Sequence, residues 1–143
     1  MILHELLQHL PQYELKREAS GTVGGLAYDS REVQPGDVFV CWEGMRHDGN
    51  EFAAEAYRRG AVAVVAERDV PGDGGLVVVP DGREALARLS AAFYGFPSRR
   101  LRVIGVTGTN GKTTTTHLIN AVLEQAGHKV CLIGTIHHLV GNE

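Results

Sequence analysis

Leu101-Arg102-Val103-Ile104-Gly105-Val106-Thr107-Gly108-Thr109-Asn110-Gly111-Lys112-Thr113-Thr114 is the stretch whose reading decides the fold. The apolar run Val103 to Val106 predicts a buried strand. A loop punctuated by Gly108 and Gly111 follows, then Lys112, then threonines that open a helical pattern. Strand, glycine-rich turn and helix N-terminus together form the phosphate loop of nucleoside-triphosphate enzymes. The spacing is a variant. The common pattern puts a glycine five residues before Gly111, and that position is Val106.

The chemistry of such a loop follows from its residue types. Glycines let the backbone turn through conformations costly for other residues and come close to an anion. The first N–H groups of the helix, aided by its dipole, then face the phosphates. Lys112 would reach β- and γ-phosphate oxygens, the Thr113 hydroxyl would ligate Mg²⁺, and Thr114 would bond an α- or β-phosphate. Against this stands a plain surface lysine in a turn, which the flanking strand and helix signals disfavour.

Working outward, the 143 residues suffice for one domain, or for one domain and part of a second. Hydrophobic residues make up 43% and charged residues 22%, the balance of a soluble globular chain. The net charge of −3 is too mild to argue for nucleic acid or membrane partners. Residues 99–143 carry five basic and two acidic side chains, so what positive charge there is gathers around the proposed phosphate loop. Cys41 and Cys131 lack metal-type spacing, which suits a reducing, cytoplasmic compartment. The N-terminus has neither a basic leader nor a long apolar core, so a signal peptide is not expected. No apolar run is long enough to span a bilayer.

Upstream of the loop, strands and helices alternate. Helix is predicted over 2–10, stopped by Pro11, and over Glu51–Arg59 with Phe52, Ala56 and Tyr57 on its apolar face. Another starts at Asp81, where Glu84 completes a capping box, with Leu86, Leu89, Ala92 and Phe93 as its stripe. Strands are predicted at Leu15–Ala19, Leu26–Tyr28, Val38–Trp42, Val62–Ala66 and Leu76–Val79. This pattern predicts an α/β fold. Residues 1–98 are expected to form a small complete domain, joined by a linker at Gly95–Arg100 to residues 99–143. That second part is expected to be one βαβ unit (strand, helix to Gln125, cap at Gly127, strand Lys129–Ile133), the incomplete beginning of a larger ATPase domain.

Gly108-Thr109-Asn110-Gly111-Lys112-Thr113-Thr114 resembles the ATP loop of the Mur ligase family, which builds the peptidoglycan precursor, and of folylpolyglutamate and cyanophycin synthetases. Three further stretches are similar to an N-terminal domain shared by two Mur ligases, those adding the third residue and the D-Ala-D-Ala dipeptide. They are Tyr28-Asp29-Ser30-Arg31, Pro35 to Val40 and Gly44 to Gly49, and Gly60 to Val65 adds to them. The four threonines before His117, and Gly134-Thr135-Ile136, resemble the third-residue branch more.

The resemblance implies an ATP- and Mg²⁺-dependent acid–amino-acid ligase of cell-wall synthesis, active as a monomer. Its substrates would be UDP-N-acetylmuramoyl-L-alanyl-D-glutamate and a diamino acid, meso-diaminopimelate or L-lysine, joined through an acyl phosphate. It implies that Lys112 is catalytic and that Gly108 to Thr114 bind ATP. It also implies that Tyr28, Ser30, Met45, Arg46 and His47 hold the UDP moiety. A Ser30 hydroxyl suits a diphosphate oxygen, Arg46 or His47 a phosphate or uracil edge, and Tyr28 or Met45 the uracil face. The chain alone is expected to make no product, since the metal ligands and the amino-acid-selecting domain of such ligases lie beyond these motifs. The alternatives are an isolated UDP-sugar-binding module, or part of the D-Ala-D-Ala-adding ligase.

Structural readings compete at several positions. Asp29 with Arg31 predicts an ion pair. Asp48-Gly49 predicts turn and cap chemistry. Trp42 is expected in the core, His117 at the surface of its helix or in packing and not in catalysis, and His137-His138 on an extended segment with side chains on opposite faces, unsuited to one metal.

Overall fold

The computed structural model describes residues 1–44, 48–134 and 138–140. The chain is α/β and divides into two compact units, Met1–Leu101 and Arg102–Glu143.

The first unit is a five-stranded sheet with helices on both faces. In chain order it comprises α1 (Leu3–Leu7), β1 (Glu14–Arg17), β2 (Leu26–Ala27), β3 (Val38–Val40), α2 (Ala53–Arg58), β4 (Ala63–Ala66), β5 (Gly75–Val78) and α3 (Gly82–Phe93). The sheet order is β1-β5-β4-β3-β2. Strands β2 to β5 run parallel, while β1 is antiparallel on β5 with an irregularity between Leu15 and Arg17. Parallel strands are covered on both sides, so they are apolar at nearly every position. Val38, Val40, Ala63, Val65, Val77 and Val79 pack with α1 and α3 on one face; Phe39, Val64, Ala66 and Leu76 pack with α2 on the other. The edge strand β1 is mostly exposed and charged, which blunts pairing with other chains.

The first two helices are shorter than the periodicity predicts, each for a local reason. After α1 the chain tightens into i→i+3 bonds, His9 N–H to Leu6 and Leu10 N–H to Leu7, before Pro11. Leu10 is still buried. The predicted 51–59 helix begins as a 3₁₀ turn, Gly49–Phe52, capped by Asp48, whose carboxylate accepts the Asn50 N–H. That turn rotates the register. Ala53 and Ala56 face the core, and Phe52 points outward at 43% exposure. The Asp81 cap forms as predicted, accepting from Glu84 N–H at 2.9 Å. Along α3, Ala85, Leu89 and Ala92 are buried, with Leu86 and Phe93 only partly so. Full burial of Leu89 alone contributes roughly 1.5–3 kcal/mol. The predicted linker ends in a 3₁₀ turn at Pro97–Arg100.

The second unit contains α4 (Lys112–Gln125), β6 (Cys131–Ile133) and β7 (His138–Val140). The C-terminus of α4 closes as expected at Gly127. Gly127 N–H donates to Glu124 and His128 N–H to Leu123, the paired bonds of a Schellman motif. Two strand expectations fail. Val103–Val106 is not a strand, and Val103 is 72% exposed. The strand after α4 pairs antiparallel with β7, placing Leu132 opposite Leu139, instead of parallel to 103–106. A strand is a property of a hydrogen-bonded pair, and an apolar run by itself supplies no partner. His138 lies exposed on β7, while His137, like Thr135 and Ile136, lies outside the described residues.

Candidate functional site

Because β2 to β5 are parallel, the segments leaving them gather along one edge of the sheet, where ligands of open α/β sheets bind. Tyr28 to Ser30 leave β2, Cys41 to Gly44 leave β3, Glu67 and Arg68 leave β4, and Pro80 to Gly82 follow β5. Sequence positions 28–30 and 41–44 are thus brought together by the β2–β3 ladder, Leu26 beside Val38 and Ala27 beside Phe39. Ser30 is buried, whereas Tyr28 is 64% exposed, an open aromatic face. Met45, Arg46 and His47 lie outside the described residues; their flanks, Gly44 and Asp48, are on this edge.

The Asp29–Arg31 pair forms as predicted. The Arg31 guanidinium donates to both Asp29 oxygens, and Arg31 N–H adds a bond at 3.0 Å to Asp29 Oδ1. Arg59 Nη1 reaches the Arg31 carbonyl at 3.0 Å, tying this turn to the end of α2. The Arg31 guanidinium and backbone amide hold the Asp29 carboxyl down at about 2. A carboxylate with a lowered folded pKa stabilises the fold fully above its unfolded value and loses that contribution as pH falls toward the folded value. Asp29→Asn is therefore expected to be less stable than the parent between pH 5 and 7, as the order of ordinary carboxylate pKa values requires, and to converge with it near pH ~2. Urea midpoints measured across that range test this; a difference independent of pH would contradict it.

Trp42 departs from the core expectation. It is half-buried, with the Arg83 guanidinium 5.7 Å from the centre of its ring. Its backbone is what is enclosed. A Cβ on Gly49 would lie 2.7 Å from the Trp42 carbonyl oxygen, and one on Gly82 would lie 2.6 Å from that of Cys41. Asp48 behaves as turn chemistry predicts. Its carboxylate accepts from Asn50 and pairs with Arg68, and its pKa is lowered chiefly by the Asn50 bonds. Glu67, Arg68 and Arg83 carry no sequence signal. Only the parallel topology brings them here.

In the second unit, Gly111 occupies the left-handed region at φ 76° and is the N-cap of α4, a conformation that favours glycine. No side chain caps this terminus, so the leading N–H groups of Lys112, Thr113 and Thr114 face outward from the helix start. Gly108 to Thr114 are all exposed. Lys112 folds back over its own loop, donating to the Gly108 carbonyl at 2.5 Å and the Thr109 carbonyl at 3.3 Å. Uncapped amides beside a lysine within reach of the same loop fit a phosphate group. His117 is half-buried on α4, with no metal-holding cluster among the described residues.

A three-layer α/β unit with an open carboxyl edge, followed by a glycine-rich lysine loop on a helix start, defines the class. The family profile "Mur ligase family, catalytic domain" matches residues 22–94, and "Mur ligase middle domain" matches residues 106–142. The chain belongs to the Mur ligase family. It is 50% identical over 143 residues to the UDP-N-acetylmuramoyl-L-alanyl-D-glutamate--2,6-diaminopimelate ligase of Syntrophomonas wolfei, covering 99% of this chain and 29% of that protein. A solved ligase of the same name superposes with a TM-score of 0.77 at 26% identity, over 96% of this chain and 29% of that one. The MurF ligase of Thermotoga maritima in complex with ADP has a TM-score of 0.55 at 37% identity, over 70% of this chain and 23% of that one. The chain thus spans about 29% of the length of the curated relatives it matches. Among the described residues no helix is long and apolar enough to cross a membrane.

Proposed function

We propose that this chain supplies the nucleotide-substrate domain and the ATP loop of a cytoplasmic, monomeric ligase. That ligase joins 2,6-diaminopimelate to UDP-N-acetylmuramoyl-L-alanyl-D-glutamate. ATP phosphorylates the D-glutamate carboxyl, the diamino acid's amine attacks the acyl phosphate, and collapse of the tetrahedral intermediate releases phosphate and leaves an amide. In this reading Lys112 neutralises charge on the transferring phosphoryl group, and the Gly108–Thr114 backbone cradles the phosphates. The Thr113 hydroxyl would hold Mg²⁺. Tyr28, Ser30 and Met45–His47 take the UDP moiety. Residues 1–98 form the nucleotide-substrate domain and 99–143 the start of the ATP-binding one.

The observation that carries this reading is the convergence of Ser30, Tyr28 and both flanks of the 45–47 loop on the carboxyl edge of one parallel sheet. The choice of this branch over the D-Ala-D-Ala-adding ligase rests on magnitude. Identity of 50% over 143 residues to a diaminopimelate-adding ligase outweighs 37% over 70% of the chain to MurF.

Calorimetric titration of the 143-residue chain tests it. UDP is expected to bind, MgATP to bind negligibly, and the chain alone to form no amide product from the dipeptide nucleotide. Absence of UDP binding would overturn the nucleotide reading; tight MgATP binding would overturn the view that the ATP site needs more sheet than 99–143 provides.

A further inference from the structure

We propose that Arg83, at the start of α3, is a binding residue for the diphosphate of the UDP moiety, held ready for it over the Trp42 ring. This rests on the nucleotide reading above.

A diphosphate brings negative charge to the carboxyl edge, and a complementary site meets it with positive charge. Two described arginines near this edge are already committed, Arg31 to Asp29 and Arg68 to Asp48. Arg83 is exposed and forms no ion pair or side-chain hydrogen bond among the described residues. The carboxylates closest to it along the edge are engaged elsewhere. Asp81 accepts the Glu84 N–H at 2.9 Å, and Glu84 pairs with Arg88 at 2.8 Å. Glu67 accepts the Glu43 N–H and the Gly82 N–H, each at 3.0 Å. The Arg83 guanidinium therefore stays available to an incoming anion.

Its support is fixed. The guanidinium carbon lies over the Trp42 ring, 5.7 Å from the centre. A guanidinium over an aromatic face keeps its N–H donors free in its own plane, the fork that suits phosphate oxygens. Trp42 has little room to shift. A Cβ on Gly82 would lie 2.9 Å from the Trp42 Cβ, and Gly49 N–H donates to the Trp42 carbonyl at 2.9 Å. A donor held this way loses less freedom on binding than a free surface arginine. The sheet also sets Trp42 beside the Ser30 segment. Ala27 pairs with Phe39, and Ser30 and Trp42 each follow three residues later on adjoining strands. A hydroxyl from one side and a guanidinium from the other are both donors that a diphosphate accepts.

The test is calorimetric titration of the 143-residue chain with UDP at low and high salt, alongside thermal melting. The chains compared are the parent, Arg83→Ala, Arg83→Gln, Arg83→Lys and Arg88→Ala. Losing a charge-assisted bond to phosphate is expected to raise the Kd about tenfold or more. Arg83→Ala and Arg83→Gln are each expected to show that rise at low salt, with a weaker salt dependence and melting temperatures within a few degrees of the parent. Arg83→Gln keeps the stem over Trp42, and it decides the question if Arg83→Ala fails to fold. Arg83→Lys keeps the charge without the planar fork and is expected to lose less. Arg88→Ala removes the same charge from the same helix and is expected to bind like the parent. UDP binding by the parent with equally tight binding by both neutral Arg83 variants would overturn the role of Arg83 and leave the nucleotide reading intact. An equal loss in Arg88→Ala would overturn it as well, since the effect would then be one of overall charge. No UDP binding by the parent would overturn the nucleotide reading and this role with it.

Discussion

Phe39→Ala is expected to destabilise the first unit by about 3–5 kcal/mol, the usual cost of emptying a well-packed aromatic site. Phe39 sits on β3, between β2 and β4, at 1% exposure, and heads the largest fully buried side chains. It packs with Ala53 and Ala56 of α2, small residues whose side chains have little reach to refill the space. Set against a domain stability of about 5–15 kcal/mol, that loss is a large share. Urea titration followed by tryptophan fluorescence should show the midpoint falling sharply at a similar slope. Phe52→Ala is the control, since Phe52 points outward and its loss should be felt far less. Equal effects at the two positions would contradict the register set by the 3₁₀ turn.

The second large effect is a contrast between the two thiols. Cys41 is buried, with Sγ 3.5 Å from the Val65 carbonyl, while Cys131 is exposed on β6. Burial, reinforced by the Asp48 and Glu67 carboxylates, pushes the Cys41 thiol from 9.0 to about 12. Only the thiolate attacks, so that rise alone lowers the reactive fraction about 10³-fold at neutral pH. A native chain treated with a thiol reagent is expected to take up one label quickly, at Cys131, and a second only on unfolding. Peptide mass spectrometry locates the label; rapid modification of Cys41 in native buffer would refute the burial. The sign also fixes a pH dependence. Cys41 favours the folded state fully below pH ~9 and ceases to as pH rises toward 12, because only the unfolded thiol ionises between them.

Local signals were legible where one residue type does one job. Asp81 caps α3 and Gly127 ends α4, because carboxylate-to-amide and left-handed glycine chemistry need only near neighbours. The Asp29–Arg31 pair and the Asp48 turn are likewise local. Phe52 and Trp42 were misjudged because an apolar side chain states that burial is favourable without stating where the backbone will aim it. The run Val103–Val106 was misjudged because pairing partners are not written in a strand's own residues.

The sequence by itself determined the α/β class, the family, and the residue types of the phosphate loop. These depend on periodicity and on short spacings along the chain. Only the tertiary structure decided that β2 to β5 run parallel, and therefore that segments far apart in sequence leave the sheet at one edge. It also decided that Glu67 and Arg68 reach across from β4 to both flanks of the loop after β3, and that Lys112 rests on the carbonyls of its own loop. The physical reason is the range of the forces. Capping and turn chemistry act over about four residues, whereas strand pairing and side-chain bonds across the sheet join positions whose separation in sequence carries no signal.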